Sequence, residues 1–252
     1  MRVLMNSGVI FVVLFLWQAL CWLQVLPQHV VPSPLQVLRG ILELVTVGLP
    51  PGYSLWGHLL ASLQRVVVGF VLAVLLGLPL GILMGWSKSL RSALRPIIEV
   101  LRPIPPLAWI PIAIIWFGIG LRSAAFIIFL GTFFPILLNT ISGVVLLNPV
   151  FVEVSLTLGL SQWGVMMKVL VPGALPSIFT GMRVGLGIGW MTLVAAEFSG
   201  VKTGYGLGYM IMVARDIQRL DLILAGMVII GLVGYGMDAV LSCIRARLLR
   251  WL

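Results

Sequence analysis

The sequence contains few charged residues: Asp, Glu, Lys and Arg together make up 9% of it, whereas 61% of its residues are hydrophobic. A soluble domain carries about a quarter charged residues, so this chain could not cover its surface with polar groups in water. The shortage excludes an ordinary soluble protein and indicates an integral membrane protein. Its 252 residues suffice for about six spans of roughly 20 residues each.

Acidic residues, histidine and cysteine are also scarce, with seven Asp and Glu, two His and two Cys. Cys21 and Cys243 lie late in the first and last apolar runs, near opposite membrane faces, which argues against a disulfide. The scattered acids and histidines form neither a metal-ligand cluster nor paired carboxylates in one span, and no nucleophile lies beside a base. We therefore expect no metal site, no catalytic residues and no enzymatic activity in this chain.

The positive charge of the chain predicts topology rather than nucleic-acid binding. The net charge is +9, but no basic run is interleaved with aromatic residues. Nine basic residues fall in connections on the side of the N-terminus and five on the other side, with Arg65 and Arg102 inside predicted spans. Because cytoplasmic loops carry the excess of Lys and Arg, both termini are predicted to be cytoplasmic.

Apolar periodicity predicts six spans and three parts of the chain. The first run is long, rich in Trp and followed by no small-residue cleavage site, so we interpret it as a retained span. Residues 32–57 are too short and too polar to span, and they predict an amphipathic helix on the outer surface that Pro50-Pro51-Gly52 ends. The predicted spans are 8–26, 58–84, 96–118, 122–146, 179–199 and 221–243. The chain is predicted to have three parts. Residues 1–57 hold the first span and the outer segment, residues 58–243 form the transmembrane core, and residues 244–252 form a basic cytoplasmic tail.

The stretch between the fourth and fifth spans, residues 147–175, predicts an elbow of two short helices on the cytoplasmic side. Asn148-Pro149 stops the preceding helix, Gly159 allows a turn, Ser161 can cap a second helix, and Pro172 is expected to close that helix. The elbow is too apolar to be fully solvated, so we expect it to bind a partner surface.

The elbow resembles the EAA loop of permease subunits of ABC importers. Glu153, Gly159 six residues later and Pro172 at the end of "VLVP" keep the spacing of that loop, whereas Val154 and Ser155 replace its two alanines. Three further stretches resemble the subfamily that imports taurine, alkanesulfonates, nitrate and bicarbonate. These are "SLQRVVVGF" (62–70), "LRPIPPLAWIPIAIIWFGIG" (101–120) and "VAAEFSG" (194–200).

This resemblance implies an all-α integral membrane protein of six transmembrane helices with the type I ABC importer permease fold, in a bacterial inner membrane. It implies a second permease copy, which we expect to form a homodimer, two copies of an ATP-binding subunit, and a periplasmic solute-binding protein. The elbow would be the coupling helix that docks on the ATPase. The coupling residues that it implies are Glu153, Ser155, Leu156, Gly159, Leu160 and Pro172.

ATP is expected to bind to the partner and not to this chain. The sequence has no G-x-x-x-x-G-K-[ST] phosphate loop, so no cofactor is predicted here, and ATP and Mg²⁺ would be held by the ATPase subunit. The resemblance favours taurine or an alkanesulfonate as the solute, with nitrate, bicarbonate or an uncharged small solute as alternatives. A secondary transporter working alone is a further alternative, although we find no repeat between the two halves.

Prolines crowd the third predicted span, which holds Pro103, Pro105, Pro106 and Pro111. Each removes a backbone donor, and in lipid the freed carbonyls are tolerated only beside protein or a water-filled cavity. We expect the first half of this span to be irregular and to face the bundle interior. It either lines the pathway and flexes as a gate, or forms a static kink.

Charges inside predicted spans are candidate functional groups because each is costly in lipid. Arg65 and Glu197 are predicted to pair or to share one polar network, either facing the pathway or only fixing helix packing. We also expect a local Glu99–Arg102 pair, contact of Asp238 with the basic tail, and an outer loop of mixed charge over 213–221.

Glycines repeat every four residues in two spans, which favours close helix packing. The repeat involves Gly77, Gly81 and Gly85 in the second span and Gly181, Gly185 and Gly189 in the fifth. Packing within one bundle is the first interpretation, and packing between two permeases is the alternative.

Overall fold

The computed structural model describes residues 2–23, 31–198 and 204–249, and this part of the chain is helical with no β-strand. Two short non-α turns interrupt the series, a 3₁₀ turn at Pro106–Trp109 and a π turn at Met166–Leu170. The α-helices are α1 Arg2–Trp22, α2 Pro34–Thr46, α3 Leu55–Trp86, α4 Lys88–Leu101, α5 Ile110–Phe117, α6 Leu121–Val145, α7 Pro149–Thr157, α8 Gln162–Val165, α9 Val171–Phe198, α10 Leu207–Asp216 and α11 Leu220–Leu248.

The described helices supply four membrane spans, or five if a bent pair counts as one, so the predicted six are not confirmed. The four are α3, α6, the continuous run Gln162–Phe198, and α11. Within α1, Phe11–Trp22 is a shorter apolar segment and is not one of the four. Residues 24–26, where the first predicted span ends, lie outside the described residues, as do residue 199 of the fifth span and residues 250–252 of the tail.

The third predicted span is broken, as the prolines predicted. Helix α4 ends at Leu101, and its axis makes an angle of 83° with the stretch Pro106–Phe117. The expected Glu99–Arg102 pair is wrong, because Glu99 accepts a hydrogen bond from Arg95 Nε at 2.6 Å instead. Residues four apart on one helix face each other, whereas Arg102 lies just beyond the end of α4.

The chain divides into two compact units, which are described separately. The first comprises residues 1–62 and 204–233. Here α2 is amphipathic, as expected, with Val37, Gly40 and Leu44 buried and Ser33 capping its N-terminus. It ends at Thr46, before the Pro50-Pro51-Gly52 turn that was expected to end it.

Residues 213–221 of this unit do not form the loop that was expected. Helix α10 runs to Asp216, a tight turn with a positive φ at Gln218 follows, and α11 begins at Leu220. Arg219 in this turn forms ion pairs with Glu43 of α2 at 2.7 Å and with Asp221 at 2.8 Å. The mixed charges therefore connect α2 to the turn between α10 and α11.

The second unit, residues 63–203 and 234–252, is built around α6. The six glycines of the two repeats, on α3 and α9, face this helix, because a methyl group added at any of the six would come within 2.5–3.2 Å of an α6 atom. The partners on α6 are Ile136, Thr140 and Val144 for Gly77, Gly81 and Gly85, and chiefly Asn139 and Thr132 for the glycines of α9. Packing within one bundle, the first interpretation of the repeats, is confirmed.

Candidate functional site

A buried ion pair connects α3 to α9 in the second unit. Arg65 Nη1 donates to Glu197 Oε1 at 2.5 Å, and the two residues are 4% and 3% exposed. The predicted pairing is therefore confirmed, while its role in transport stays a prediction. The apolar neighbours Val66, Leu193 and Ala196 are also buried. In such a low-dielectric setting each charge depends on the other.

A cavity of about 500 Å³ lies beside the break in the third span. Pro106 lines it, whereas Pro103, Pro105, Arg65 and Glu197 are not among its lining residues. The structure therefore brings one of the five candidate pathway residues to this cavity. The whole lining comes from the end of α4, the break, α6 and α9: Leu101, Arg102, Ile104, Pro106, Trp109, Phe126, Leu130, Gly131, Phe134, Pro135, Leu138, Asn139, Val184 and Ile188.

Sequence reasoning missed the polar residues of this cavity. Arg102 is its one charged lining residue in the described chain, and Asn139 carries an amide that donates to Pro135 O at 2.8 Å. The signal for Arg102 was present, as a cation inside a predicted span, but it was assigned to Glu99. Asn139 lies 37 positions further along the chain, and no sequence pattern connects it to the break.

A second ion pair corrects another prediction. Among the described residues Asp238 of α11 pairs with Arg183 of α9 and not with the basic tail, since it accepts two hydrogen bonds from Arg183, at 2.5 and 2.6 Å. The planar guanidinium of Arg183 matches the carboxylate in this two-bond geometry. Both side chains are partly exposed in the described chain.

The elbow between α6 and α9 has the predicted form in its first half. Asn148 caps α7, Gly159 adopts a φ of +83°, and Ser161 accepts a hydrogen bond from the N–H of Gly164 at 3.2 Å. A positive φ is the conformation in which glycine is favoured, so the turn depends on Gly159. The short helix α7 is therefore joined to α8 by a turn at Gly159.

Pro172 does not close the second helix of the elbow, contrary to expectation. The chain continues as one helix from Gln162 to Phe198, and Val171 N–H donates to Met166 O in the π turn. A π turn bonds residues five apart and locally widens the helix. We attribute the tolerance of Pro172 to this widened turn directly before it.

Part of the apolar surface of the elbow packs against its own bundle, and part is exposed. Val152 and Leu160 pack against a buried cluster that includes Val165 and Leu170. Leu156, by contrast, is 47% exposed, and α7 contains no buried residue. Other exposed apolar side chains of α7 and the turn after it are Val150, Phe151, Val154 and Leu158. The exposed apolar side chains agree with the expected partner surface, which stays a prediction.

The fold is that of type I ABC importer permeases. An inward-facing structure of the MetNI methionine ABC transporter matches 77% of this chain and 97% of its own chain with a TM-score of 0.64, at 21% sequence identity. The fold class predicted from the sequence is therefore confirmed apart from the number of spans.

Sequence comparison then gives the family. The model of the binding-protein-dependent transport system inner membrane component matches residues 77–252. The taurine transport system permease protein TauC of Escherichia coli is 40% identical over 99% of this chain and 90% of its own length. The nitrate import permease protein NrtB of Synechocystis is 40% identical over 78% of this chain and 72% of its length. The chain belongs to the family of binding-protein-dependent ABC importer permeases of the inner membrane. Membership implies a solute-binding protein and an ATPase subunit as partners.

Proposed function

We propose that this chain is the permease subunit of an ATP-driven importer of taurine or a related alkanesulfonate. The observation that carries the proposal is the 40% identity to the taurine permease, which extends over 99% of the chain. The similarity to the nitrate permease covers only 78%. Nitrate is the second candidate solute because that identity is equally high where the two chains align.

In this proposal two copies of the chain form the pathway, each above one ATPase subunit, and both termini are cytoplasmic. The orientation is supported by the excess of basic residues on one side, nine against five. ATP and Mg²⁺ bind to the ATPase, and this chain carries no cofactor. A periplasmic binding protein delivers the solute to the outer mouth.

The elbow transmits movement between the ATPase and the spans. Its exposed face with Glu153 and Leu156 contacts the ATPase, while Gly159 sets the angle between its helices. Ser155 donates its hydroxyl to Phe151 O at 2.6 Å and so belongs to the framework of α7. Leu160 and Pro172 connect the elbow to the bundle. The inward packing of Val152 and Leu160 supports this role, because a lever needs a fixed end.

In this proposal the broken third span is the part of the pathway that moves. The Arg65–Glu197 pair is the part that stays fixed. Pro103 and Pro105 are exposed at the break and Pro106 contributes to the cavity wall. Residues without backbone donors permit a change of angle there at the loss of few hydrogen bonds. The buried pair holds α3 and α9 together while the break flexes.

Uptake by the reconstituted complex tests the solute and the energy source. The permease, its ATPase and its binding protein are reconstituted in liposomes, and uptake of labelled taurine is measured with ATP or with ion gradients alone. We expect ATP-dependent uptake that unlabelled ethanesulfonate inhibits and nitrate or bicarbonate does not. Inhibition by nitrate alone would establish the second candidate. Uptake driven by an ion gradient without ATP would contradict the proposal.

A further inference from the structure

The cavity beside the broken span combines one cation with an apolar wall. Arg102 is exposed, and the described lining residues include no carboxylate. The nearest acid on the same helix, Glu99, is engaged by Arg95 at 2.6 Å. In the described lining, no acidic side chain therefore competes with an anionic ligand for Arg102.

The polar groups of the cavity are all hydrogen-bond donors or neutral. The guanidinium of Arg102 has five N–H groups in a planar fork that suits oxyanions, and it stays charged at any working pH. Asn139 uses one N–H for Pro135 O, which fixes the orientation of its amide and leaves a second N–H. Donors without a competing carboxylate select for an anionic group.

The rest of the wall suits a short carbon chain. Trp109, Phe126 and Ile188 are among the apolar residues that line it. The volume, about 500 Å³, lies within the roughly 300–1,000 Å³ of ligand pockets. A bare inorganic anion would leave this apolar wall without a partner, whereas an anion with an alkyl chain would cover it.

We propose that this cavity is the intramembrane binding site for an alkanesulfonate, with the sulfonate oxygens at Arg102 and Asn139 and the carbon chain against Trp109. The inference rests on the proposed function and deepens it by assigning residues to the two ends of the solute. Arg102 thereby becomes a specificity-determining residue, which selects the charged head of the solute inside the membrane.

Charged thiol reagents can measure the electrostatic potential of the cavity without any transport. A cysteine is placed in the wall by Val184→Cys, at a residue that is 47% exposed, after Cys21→Ala and Cys243→Ser. The intact permease–ATPase complex is labelled with 2-sulfonatoethyl or with 2-(trimethylammonio)ethyl methanethiosulfonate. The ratio of the anionic to the cationic labelling rate reports the charge that the reagents meet.

We expect Arg102→Gln to lower this ratio by about tenfold or more, because the two rates shift in opposite directions when one nearby charge is lost. Arg102→Lys, which keeps the charge, should change it by less than about threefold by the same argument. Arg122→Gln is the matched control. It also removes one exposed arginine, but Arg122 is on α6 and does not line this cavity. The native Cys243, labelled in the otherwise unaltered chain, is the reference position.

Protection by solute tests binding itself. Ethanesulfonate or taurine should slow labelling at Val184→Cys, while neutral ethyl methyl sulfone should not, and Arg102→Gln should abolish the protection. A charge ratio or a protection that is the same in Arg102→Gln would overturn the inference. Elution of each variant as the assembled complex in size-exclusion chromatography shows that the variants are folded.

The two proposals fail in different ways. If the unaltered complex takes up neither taurine nor ethanesulfonate in liposomes, the proposed solute is wrong whatever the labelling shows. If uptake is intact and Arg102→Gln leaves both the labelling ratio and the protection unchanged, the solute stands and the site is wrong.

Discussion

The guanidinium of Arg65 in α3 lies 2.5 Å from a carboxylate oxygen of Glu197 in α9, and both side chains are almost wholly buried. Removal of one partner leaves the other as an uncompensated charge in an apolar interior. That loss destabilises a protein by about 3–5 kcal/mol, whereas replacing both partners with apolar residues of similar size is often neutral. We therefore expect that replacing both Arg65 and Glu197 lowers the stability less than replacing either one alone.

We predict that Glu197→Gln and Arg65→Gln each lower the melting temperature of the purified complex, and that Arg65→Met with Glu197→Leu restores most of it. Thermal unfolding followed by intrinsic fluorescence is the measurement. Labelled-solute uptake by the double variant then separates the two roles of the pair. Normal uptake would mean that the pair only fixes packing, and a stable but inactive complex would place it in the pathway. A double variant less stable than either single one would contradict the prediction.

The corner of the elbow gives a prediction about coupling. Gly159 has a φ of +83°, and a methyl group there would meet nothing within 4 Å, so Gly159→Val acts through backbone strain and not through a clash. We expect a changed angle between α7 and α8, with ATP hydrolysis continuing while uptake falls. Gly118→Val is the matched control, because Gly118 has a φ of +73°, equally open surroundings and a place outside the elbow. Equal loss of coupling in both variants would remove the special role of Gly159.

An exposed and a packed residue of the elbow should respond differently to an added charge. Leu156 is exposed, so Leu156→Asp is expected to weaken the association of the ATPase with the permease while leaving the permease folded. Val152 packs against a buried cluster, so Val152→Asp should lower the melting temperature of the permease itself. Co-purification of the ATPase and thermal unfolding of the isolated permease are the two measurements. If Leu156→Asp co-purifies the ATPase as well as the unaltered chain does, Leu156 is not part of the docking surface.

Close approach of α9 to α6 can be tested with single methyl groups. A Cβ at Gly181 would lie 2.7 Å from Asn139 Cβ and 2.9 Å from the backbone oxygen of Pro135, so the helices must move apart. Gly187 on the same helix meets nothing within 4 Å. We expect Gly181→Ala to lower the melting temperature, and Gly187→Ala to leave it unchanged or raise it, since alanine favours a helix over glycine by about 1 kcal/mol. Similar effects of both substitutions would show that α6 and α9 are not closely packed.

Local patterns predicted those parts of the structure that local chemistry determines. The four-residue glycine repeats predicted close packing, the prolines after Leu101 predicted a broken span, and Gly159 with Ser161 predicted the elbow corner. The Arg65–Glu197 pair was also predictable, because two isolated charges in spans have few possible partners in lipid.

The parts that the sequence did not predict depend on contacts between distant segments. Nothing in the sequence around Asp238 shows that Arg183, 55 positions earlier, lies opposite it. The continuation of the helix through Pro172 requires a π turn, which has no simple sequence pattern. The cavity arises from four segments that meet, so Arg102 and Asn139 could be recognised as neighbours only from the structure.

The ion pairs of Glu43, Glu99 and Glu197 differ in exposure, so we expect their contributions to stability to differ in size and in sensitivity to salt. Arg219 donates to Asp221 and to Glu43, and these hydrogen bonds raise the pKa of Arg219 above its ordinary value. Arginine is already charged at any working pH, so the raised pKa causes no pH dependence, and only the strength of the pairs matters. Side chains in these pairs are up to 41% exposed, so water and salt screen their charges.

We therefore predict that Glu43→Gln costs about 0.2–1 kcal/mol, the range for exposed pairs, and that 0.5 M salt removes most of the difference. Glu99→Gln, which breaks the more exposed pair with Arg95, should change the melting temperature least, and Glu197→Gln most. Melting temperatures of the three variants at low and high salt give the order, and the loss for Glu197→Gln should persist in high salt. A loss for Glu43→Gln as large as that for Glu197→Gln would show that burial does not decide the strength of these pairs.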